Sequence, residues 1–526
     1  MRPIDGFAAA ADAHPDRIAL RDGDVSLSFA ELSRLSDAIA SGLSARLSPA
    51  REARIALIAP NDYRVVACTL GVMRVGAVFA PVHVTDAIEK KIEYLTGLQP
   101  ACAIYHSSIA AEIGALKDVL PTTQWVCLDG PSGPDPSLDQ LTSGPRAAVE
   151  DWGDVYGSLE HPVCIRQTSG TTGKPKLVVS AVRSFNETIR LLRQGLHDSK
   201  GAPVCLVAAP LSHAAGMHAF AMLTLGATLV ILATLEPAVV LDHLERHHVT
   251  HLWLPPTALY LLLSWPDARA CDYSSLRSLV LGAAAVAPAR LKEAVEVFGP
   301  CLCQSYSQIE SGFLTWLDAG TIAAAAAGDH PERLMTSGKR LAASRVEIVD
   351  EDGRVLGAGG HGEIVVRGPS VKRYLDPEET RRAQEGGWHH TGDLGYFDQD
   401  GYLFVTGRKK DNIITGGLKV SAAEVEQVIM EIAAVGECAV IAAPDEIRGE
   451  AVTAIVTVKA DQSVSNETIL AHCRSRLGRA KAPRSVQQWP QLPKSAVGKI
   501  DKQRIRDSFW PARPSAWGYR DEHQRD

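Results

Sequence analysis

The segment Thr168-Ser169-Gly170-Thr171-Thr172-Gly173-Lys174-Pro175-Lys176 gathers four hydroxyls, two glycines and two lysines into one short run. Glycine permits tight turns and lets backbone come close to a bound group. Successive backbone N–H groups in such a turn form a concavity suited to anions. Hydroxyls and ammonium groups add further donors, so the composition points to phosphate. The run is not the GxxxxGK[ST] loop that opens a helix, because its glycines stand three apart and Pro175 follows Lys174. Val163–Gln167 before it and Leu177-Val178-Val179 after it read as strands. The chain is therefore expected to fold back as a hairpin over phosphates. Taken alone, the same composition also suits a flexible surface loop.

The elements around this run set its context. From about Cys164 to Tyr306, short β-rich runs alternate with helical patterns. Strands are predicted at Val204–Ala208, Thr228–Leu232, His251–Leu254, Leu279–Leu281 and Cys301–Ser305, and helices at Leu235–His247, Thr257–Ser264 and Ala287–Phe298. Ala53–Ile58 and Val65–Gly76 repeat the pattern as strand and helix. Such alternation predicts an α/β fold with parallel strand pairs. After about Gly338 the texture changes to short strands, at Val346–Asp350, Glu363–Arg367 and Tyr402–Thr406, parted by turns such as Asp352-Gly353 and Asp400-Gly401. This predicts a small β-unit of hairpins. Beyond the charged run Gly407–Asp411, Ser421-Ala-Ala-Glu424 has the pattern of a capping box. Strands at Cys438–Ala442 and Ala451–Val458 and a helix at Glu467–Leu477 follow. The expected organisation is a large N-terminal domain, residues 1–409, and a small α+β C-terminal domain, residues 410–526.

Bulk properties exclude several classes. The 526 residues exceed what one compact core holds. Hydrophobic residues at 46% and charged residues at 22% describe a folded, water-soluble chain. A net charge of −7 offers no general attraction for nucleic acid or anionic membrane, so phosphate must be held locally. The ten cysteines contain no CxxC pair, and Cys301 and Cys303 are two ligands without partners; reduced core thiols of a cytoplasmic protein are expected instead of zinc. The N-terminus lacks the long apolar run of a signal peptide. Gly201–Leu235 has no charged residue but is broken by Pro203, Pro210, His213, Gly216, His218 and Gly226, which predicts a buried strand–loop–helix–strand and no membrane span.

Thr168–Lys176 resembles the signature loop of the adenylate-forming (AMP-binding) superfamily, which includes acyl-CoA synthetases, peptide-synthetase adenylation domains and luciferases. Four further segments match in order: Tyr306-Ser-Gln-Ile-Glu310, His390-Thr-Gly-Asp393, Gly407-Arg408 with Lys410-Asp411, and Pro493–Lys499. The resemblance spans nearly the whole chain and is closest in style to a bacterial acyl-CoA synthetase. It implies attack of a carboxylate on the α-phosphorus of ATP with release of pyrophosphate, chemistry governed by positioning and electrostatics.

The resemblance assigns Thr168, Ser169, Thr171, Thr172 and Lys176, with Gly170 and Gly173, to the ATP phosphates. Glu310 matches a magnesium-associated glutamate; a carboxylate oxygen suits that hard cation. Tyr306, between Ser305 and Ser307, matches the aromatic that stacks on adenine. Asp393 matches the carboxylate that receives the ribose hydroxyls, and Arg408 its partner. Lys499 matches the lysine bridging carboxylate and α-phosphate. Lys410 falls at the hinge about which the C-terminal domain turns, and Gly416-Gly417 at the channel for the pantetheine thiol. Ile309 departs from the usual threonine, which places the α-phosphate contacts in doubt. Outside this ordered set, Glu310, Arg408 and Lys499 read as surface charges and Tyr306 as a core aromatic; Lys419 and Lys481 read as solvated lysines.

Pro210–Gly216 resembles a further core motif, with His213 and Gly216 at the wall of the acid pocket. A hydrogen-bonded core histidine is the plainer reading of His213. Gly282-Ala283-Ala284 is expected to line the adenine and acyl site. None of these residues is charged, which favours an apolar or aromatic acid over an amino acid, whose ammonium needs a carboxylate. The leading expectation is an ATP- and Mg²⁺-dependent acid–CoA ligase with a small-molecule acid substrate. The alternatives are an adenylate former that serves a carrier-protein thiol or an amine, nitrite activation included, and a non-catalytic nucleotide-binding homologue. Retention of Lys176, Glu310, Asp393, Arg408 and Lys499 together disfavours the last.

Overall fold

The computed structural model describes residues 2–47, 50–130, 133–144, 155–168, 176–196, 201–342, 344–415, 417–445, 447–494 and 498–510. The side chains of Lys410 and Lys419 also lie outside the described set. The chain divides into two compact units: residues 1–391 with 396–404, and residues 392–395 with 405–526. The fold is mixed α/β, with the large unit first.

Two sheets dominate the first unit. One has nine strands among the described residues. At its centre, strands Val204–Val207, Thr228–Ile231, His251–Leu254, Ser278–Leu281 and Leu302–Gln308 are mutually parallel neighbours. His251–Leu254 and Ser278–Leu281 are buried at every position, as expected for strands covered on both faces. The helices between these strands, Pro237–Arg246, Pro256–Leu263 and Pro288–Phe298, each open on proline, whose fixed φ and missing N–H suit a first turn. The sheet is extended on one side by an N-terminal hairpin, with Leu20 opposite Leu229 in parallel register. No sequence pattern had marked that hairpin.

The second sheet has seven strands among the described residues. Arg54–Ile58, Val78–Val82 and Cys102–Tyr105 form its parallel centre. Pro162–Thr168 and Lys176–Ala181 add an antiparallel pair. Alternation along the strands sends successive side chains into different cores: Cys205 and Val207 join one cluster, Leu206 and Ala208 another. The first cluster also holds Ile55, Leu57 and Phe79 from the seven-stranded sheet, with Leu70, Phe185 and Phe220 from three helices. Those helices lie between the sheets and bury both inner faces.

Gly201–Leu235 forms strand, loop, helix and strand as expected, and no helix among the described residues is long and apolar enough to cross a membrane. All ten thiols are free, Cys301 and Cys303 among the buried ones.

In the second unit, strands Val435–Asp445 and Gly449–Val458 form a long hairpin that carries Asn412–Thr415 and Ser485–Gln488 beside it. Ser421 caps helix Ala422–Ile429 by accepting from the Glu424 N–H at 3.4 Å. The carboxylate of Glu424 does not close the expected box; it receives Lys481 at 2.8 Å. Lys481, read as a solvated cation, is thus an ion-pair partner.

His218 is 2% exposed, and its Nε2 has no hydrogen-bond partner among the described residues. Burial pushes its pKa down to about 3. The unfolded chain takes up this proton near the ordinary histidine value of about 6.5, whereas the folded chain refuses it, so stability falls as pH drops below that value. We expect His218→Gln to flatten the acid side of a Tm-against-pH curve. An unchanged slope in calorimetry would refute this role.

Candidate active site

The phosphate segment is a hairpin in its described part. Thr168 ends one strand, Lys176 begins the next, and the two are register partners. Ser169, Gly170, Thr171, Thr172 and Gly173 lie outside the described residues. Lys176 is ion-paired with Glu379, and its ammonium stands 5.4 Å from the centroid of the Tyr374 ring. Neither Glu379 nor Tyr374 was marked by the sequence reading.

Tyr374 links this hairpin to Glu310. Burial, together with the negative charges of Glu310 and Glu379 nearby, pushes the Tyr374 pKa up. Lys372, two residues earlier, clamps the same turn. Its N–H donates to the Glu310 carbonyl at 2.8 Å, and its Nζ donates to the Ile309 carbonyl at 2.6 Å. Desolvation, with Arg166 nearby, lowers the Lys372 pKa to about 8. Where the usual threonine hydroxyl is missing at Ile309, a lysine holds the peptide from behind.

Strand Leu302–Gln308 delivers Ser305, Tyr306 and Ser307, with a register shift between Tyr306 and Ser307 against the neighbouring antiparallel strand. Such a bulge re-aims side chains at a strand end. Ser305 is 6% exposed, and its Oγ has no partner among the described residues. It faces Gly282: a Cβ placed there would stand 3.6 Å from that Oγ and 3.3 Å from the Trp253 indole nitrogen. Trp253, read only as part of a strand, therefore packs beside Gly282 with Ser305. Ala283 has φ of +73°, a conformation that costs a residue with a Cβ about 1–3 kcal/mol. Ala284 is exposed.

Pro210–Gly216 runs from a loop into helix Ala214–Thr224. The His213 ring accepts or donates through Nδ1 to the Ser212 hydroxyl at 2.8 Å. It meets the His83 ring edge-on, with centroids 5.3 Å apart. Burial lowers the His83 pKa, opposed by Asp86. A Cβ on Gly216 would stand 2.0 Å from the Leu211 carbonyl oxygen, so only glycine fits this turn. Asn61 anchors the loop: its Nδ2 donates to the Ala209 and Leu232 carbonyls at 3.0 and 2.9 Å, and its Oδ1 accepts from the Leu211 N–H at 2.8 Å.

In the second unit, Asp393 is 5% exposed and its Oδ1 receives Arg408 Nε at 3.2 Å. Lys499 lies beside the Lys494–Ile500 bridge, and Gly498 has φ of +74°. Lys494 and Lys502, on either side, are paired with Glu437 and Glu426 at 2.8 and 2.7 Å. Thr415 pairs with Leu418, which puts Gly417, φ +82°, in the turn; Gly416 lies outside the described residues.

No group of three or more His, Cys, Asp or Glu side chains converges among the described residues. A lone carboxylate such as Glu310 suits Mg²⁺, which keeps waters and shares substrate phosphate oxygens rather than filling an all-protein cage.

The fold and these segments define an adenylate-forming enzyme. The chain belongs to the family of AMP-binding enzymes: that family's model matches residues 7–375, and the model of its C-terminal domain matches residues 424–499. It is similar to the medium/long-chain-fatty-acid–CoA ligase FadD8 of Mycobacterium tuberculosis, at 38% identity over 67% of this chain and 62% of that protein. It is also similar to the indoleacetate–CoA ligase of Aromatoleum aromaticum, at 30% identity over 94% and 96% of the two chains. Among solved structures, the amide bond synthetase McbA of Marinactinospora thermotolerans superposes with a TM-score of 0.85 at 28% identity, covering 97% of this chain and 100% of that one. The protein is an ATP-using ligase of the acyl-CoA synthetase type.

The strained backbone at residue 283 generates a test. Ala283→Val puts a β-branched side chain at positive φ and should destabilise by about 2 kcal/mol or more, whereas Ala283→Gly should cost little because it relieves the same strain. Urea unfolding of both variants reads the contrast; equal losses would count against strain at this position.

Proposed function

We propose that this enzyme adenylates an apolar or aromatic carboxylic acid and passes the acyl group to coenzyme A. The observation that carries the acid class is that Gly282, Ala283, Trp253, Ser305 and His213 themselves carry no carboxylate for an ammonium. The resemblance to an indoleacetate–CoA ligase supports the same class.

In this reading Lys176 and the hydroxyls of Thr168–Thr172 grip the β- and γ-phosphates. Tyr306 stacks on adenine, and Asp393, oriented by Arg408, receives the ribose hydroxyls through both carboxylate oxygens. Glu310, with Lys372 on its peptide, would hold Mg²⁺; that ion supplies charge neutralisation on the phosphates. Lys499 brings the acid carboxylate and the α-phosphate together as charge builds on the transferring oxygens. Lys410 is the pivot between the two half-reactions, and Gly416-Gly417 give the thiol room to reach the acyl carbonyl. The likeness to an amide bond synthetase supports a second reading in which an amine replaces the thiol.

Lys499→Ala should abolish acid-dependent pyrophosphate release while ATP binding survives. Retained turnover would remove Lys499 from the mechanism. Lys410→Pro restricts backbone rotation and should leave adenylate formation intact while blocking thioester formation; normal thioester yield would exclude a pivot there. Mass spectrometry of products from a panel of aliphatic and aromatic acids, with CoA or with amines, decides the acceptor.

A further inference from the structure

Beside the turn that carries Glu310, the first unit holds an open cleft of about 250 Å³ that the adenylation reading does not use. Arg183, Arg367, Lys372 and Arg373 line it, against the single carboxylate of Glu160. Arg183 comes from one part of the chain, and Arg367, Lys372 and Arg373 from a single later stretch. Arg183 is paired with Glu160. Arg367 is spent on the Gly386 and Gly387 carbonyls and the Trp388 ring. Arg373 has no hydrogen-bond or ion-pair partner among the described residues. Lys372 spends one donor on the Ile309 carbonyl and keeps the other two unpartnered within the described set.

His389 lines the same cleft. It is 3% exposed, yet neither Nδ1 nor Nε2 has a hydrogen-bond partner among the described residues. A buried imidazole without partners is costly, and a ligand oxygen in the cleft would satisfy it. We propose that this cleft is a binding site for a small phosphoryl anion, held by Arg373, Lys372 and the His389 ring. A tetrahedral anion offers separate oxygens to groups arriving from different directions, where a planar carboxylate offers two. Lys372 also connects the occupant to the Ile309–Glu310 turn. Burial, with His390 and Lys372 nearby and Glu363 opposing, lowers the His389 pKa to about 4, so at neutral pH the ring is uncharged and donates from one nitrogen.

The phosphoryl group has two possible sources, free inorganic phosphate and the phosphomonoester of a nucleotide co-substrate such as CoA. The test follows the His389 ring resonance in isotope-labelled full-length enzyme, assigned with His389→Phe. Inorganic phosphate, CoA and dephospho-CoA are titrated in turn at neutral pH. A saturable shift of this resonance is expected, with affinity reduced about tenfold in Arg373→Gln. Acid-dependent ATP–pyrophosphate exchange in Arg373→Gln should match the parent enzyme. Saturation by CoA but not by dephospho-CoA assigns the site to the phosphomonoester; saturation by phosphate alone assigns it to the free ion. A resonance that stays fixed with all three, or that shifts with equal affinity in Arg373→Gln, overturns the site. Because the signal is binding at His389, it stands or falls separately from the ligase reading.

Discussion

One carboxamide ties the two large sheets of the first unit together at the ends of their strands. Asn61 follows strand Arg54–Ile58 of the seven-stranded sheet, while its partners, Ala209, Leu211 and Leu232, follow strands of the nine-stranded sheet. Buried backbone groups at strand ends must find partners, and here three of them are satisfied by a single side chain. The loop so fixed carries His213, against which His83 rests from the other sheet. Without this bond the two sheets would still pack through Leu57, Val207 and Phe185, but apolar packing sets no direction for the loop. The position of His213 depends on that directional contact.

A second set of contacts organises the nucleotide side. Lys176, Glu379, Tyr374, Glu310 and Lys372 form a chain of charged and polar groups linking the phosphate hairpin to the Ile309–Glu310 turn. One short stretch, residues 372–379, thus touches two segments that lie far apart in sequence, Lys176 and the Ile309–Glu310 turn. Moving one partner therefore changes the surroundings of the next.

This explains what was legible in the sequence. Fully apolar runs such as Leu279–Leu281 declare parallel interior strands, and Pro175 between two β-rich runs declares a hairpin in place of a helix start. Residues matched by ordered motifs, such as Asp393 and Arg408, were legible as a pair, and the structure brings them to 3.2 Å. Asn61, His83, Trp253, Lys372 and Glu379 were not. Each is a single polar or aromatic residue whose meaning lies in a contact across many residues, and no local spacing reports such a contact. Glu424 makes the converse point: its local pattern is that of a cap, but Lys481, 57 residues on, captures its carboxylate.

The backbone at Ala283 limits how this enzyme can diverge. A position at φ +73° beside Gly282 tolerates glycine or alanine and little else, so bulk cannot be added there. In the proposed reading, variation in acid preference among engineered libraries runs through Trp253, Ser305 and the His83–His213 pair, while the backbone at 282–283 stays fixed.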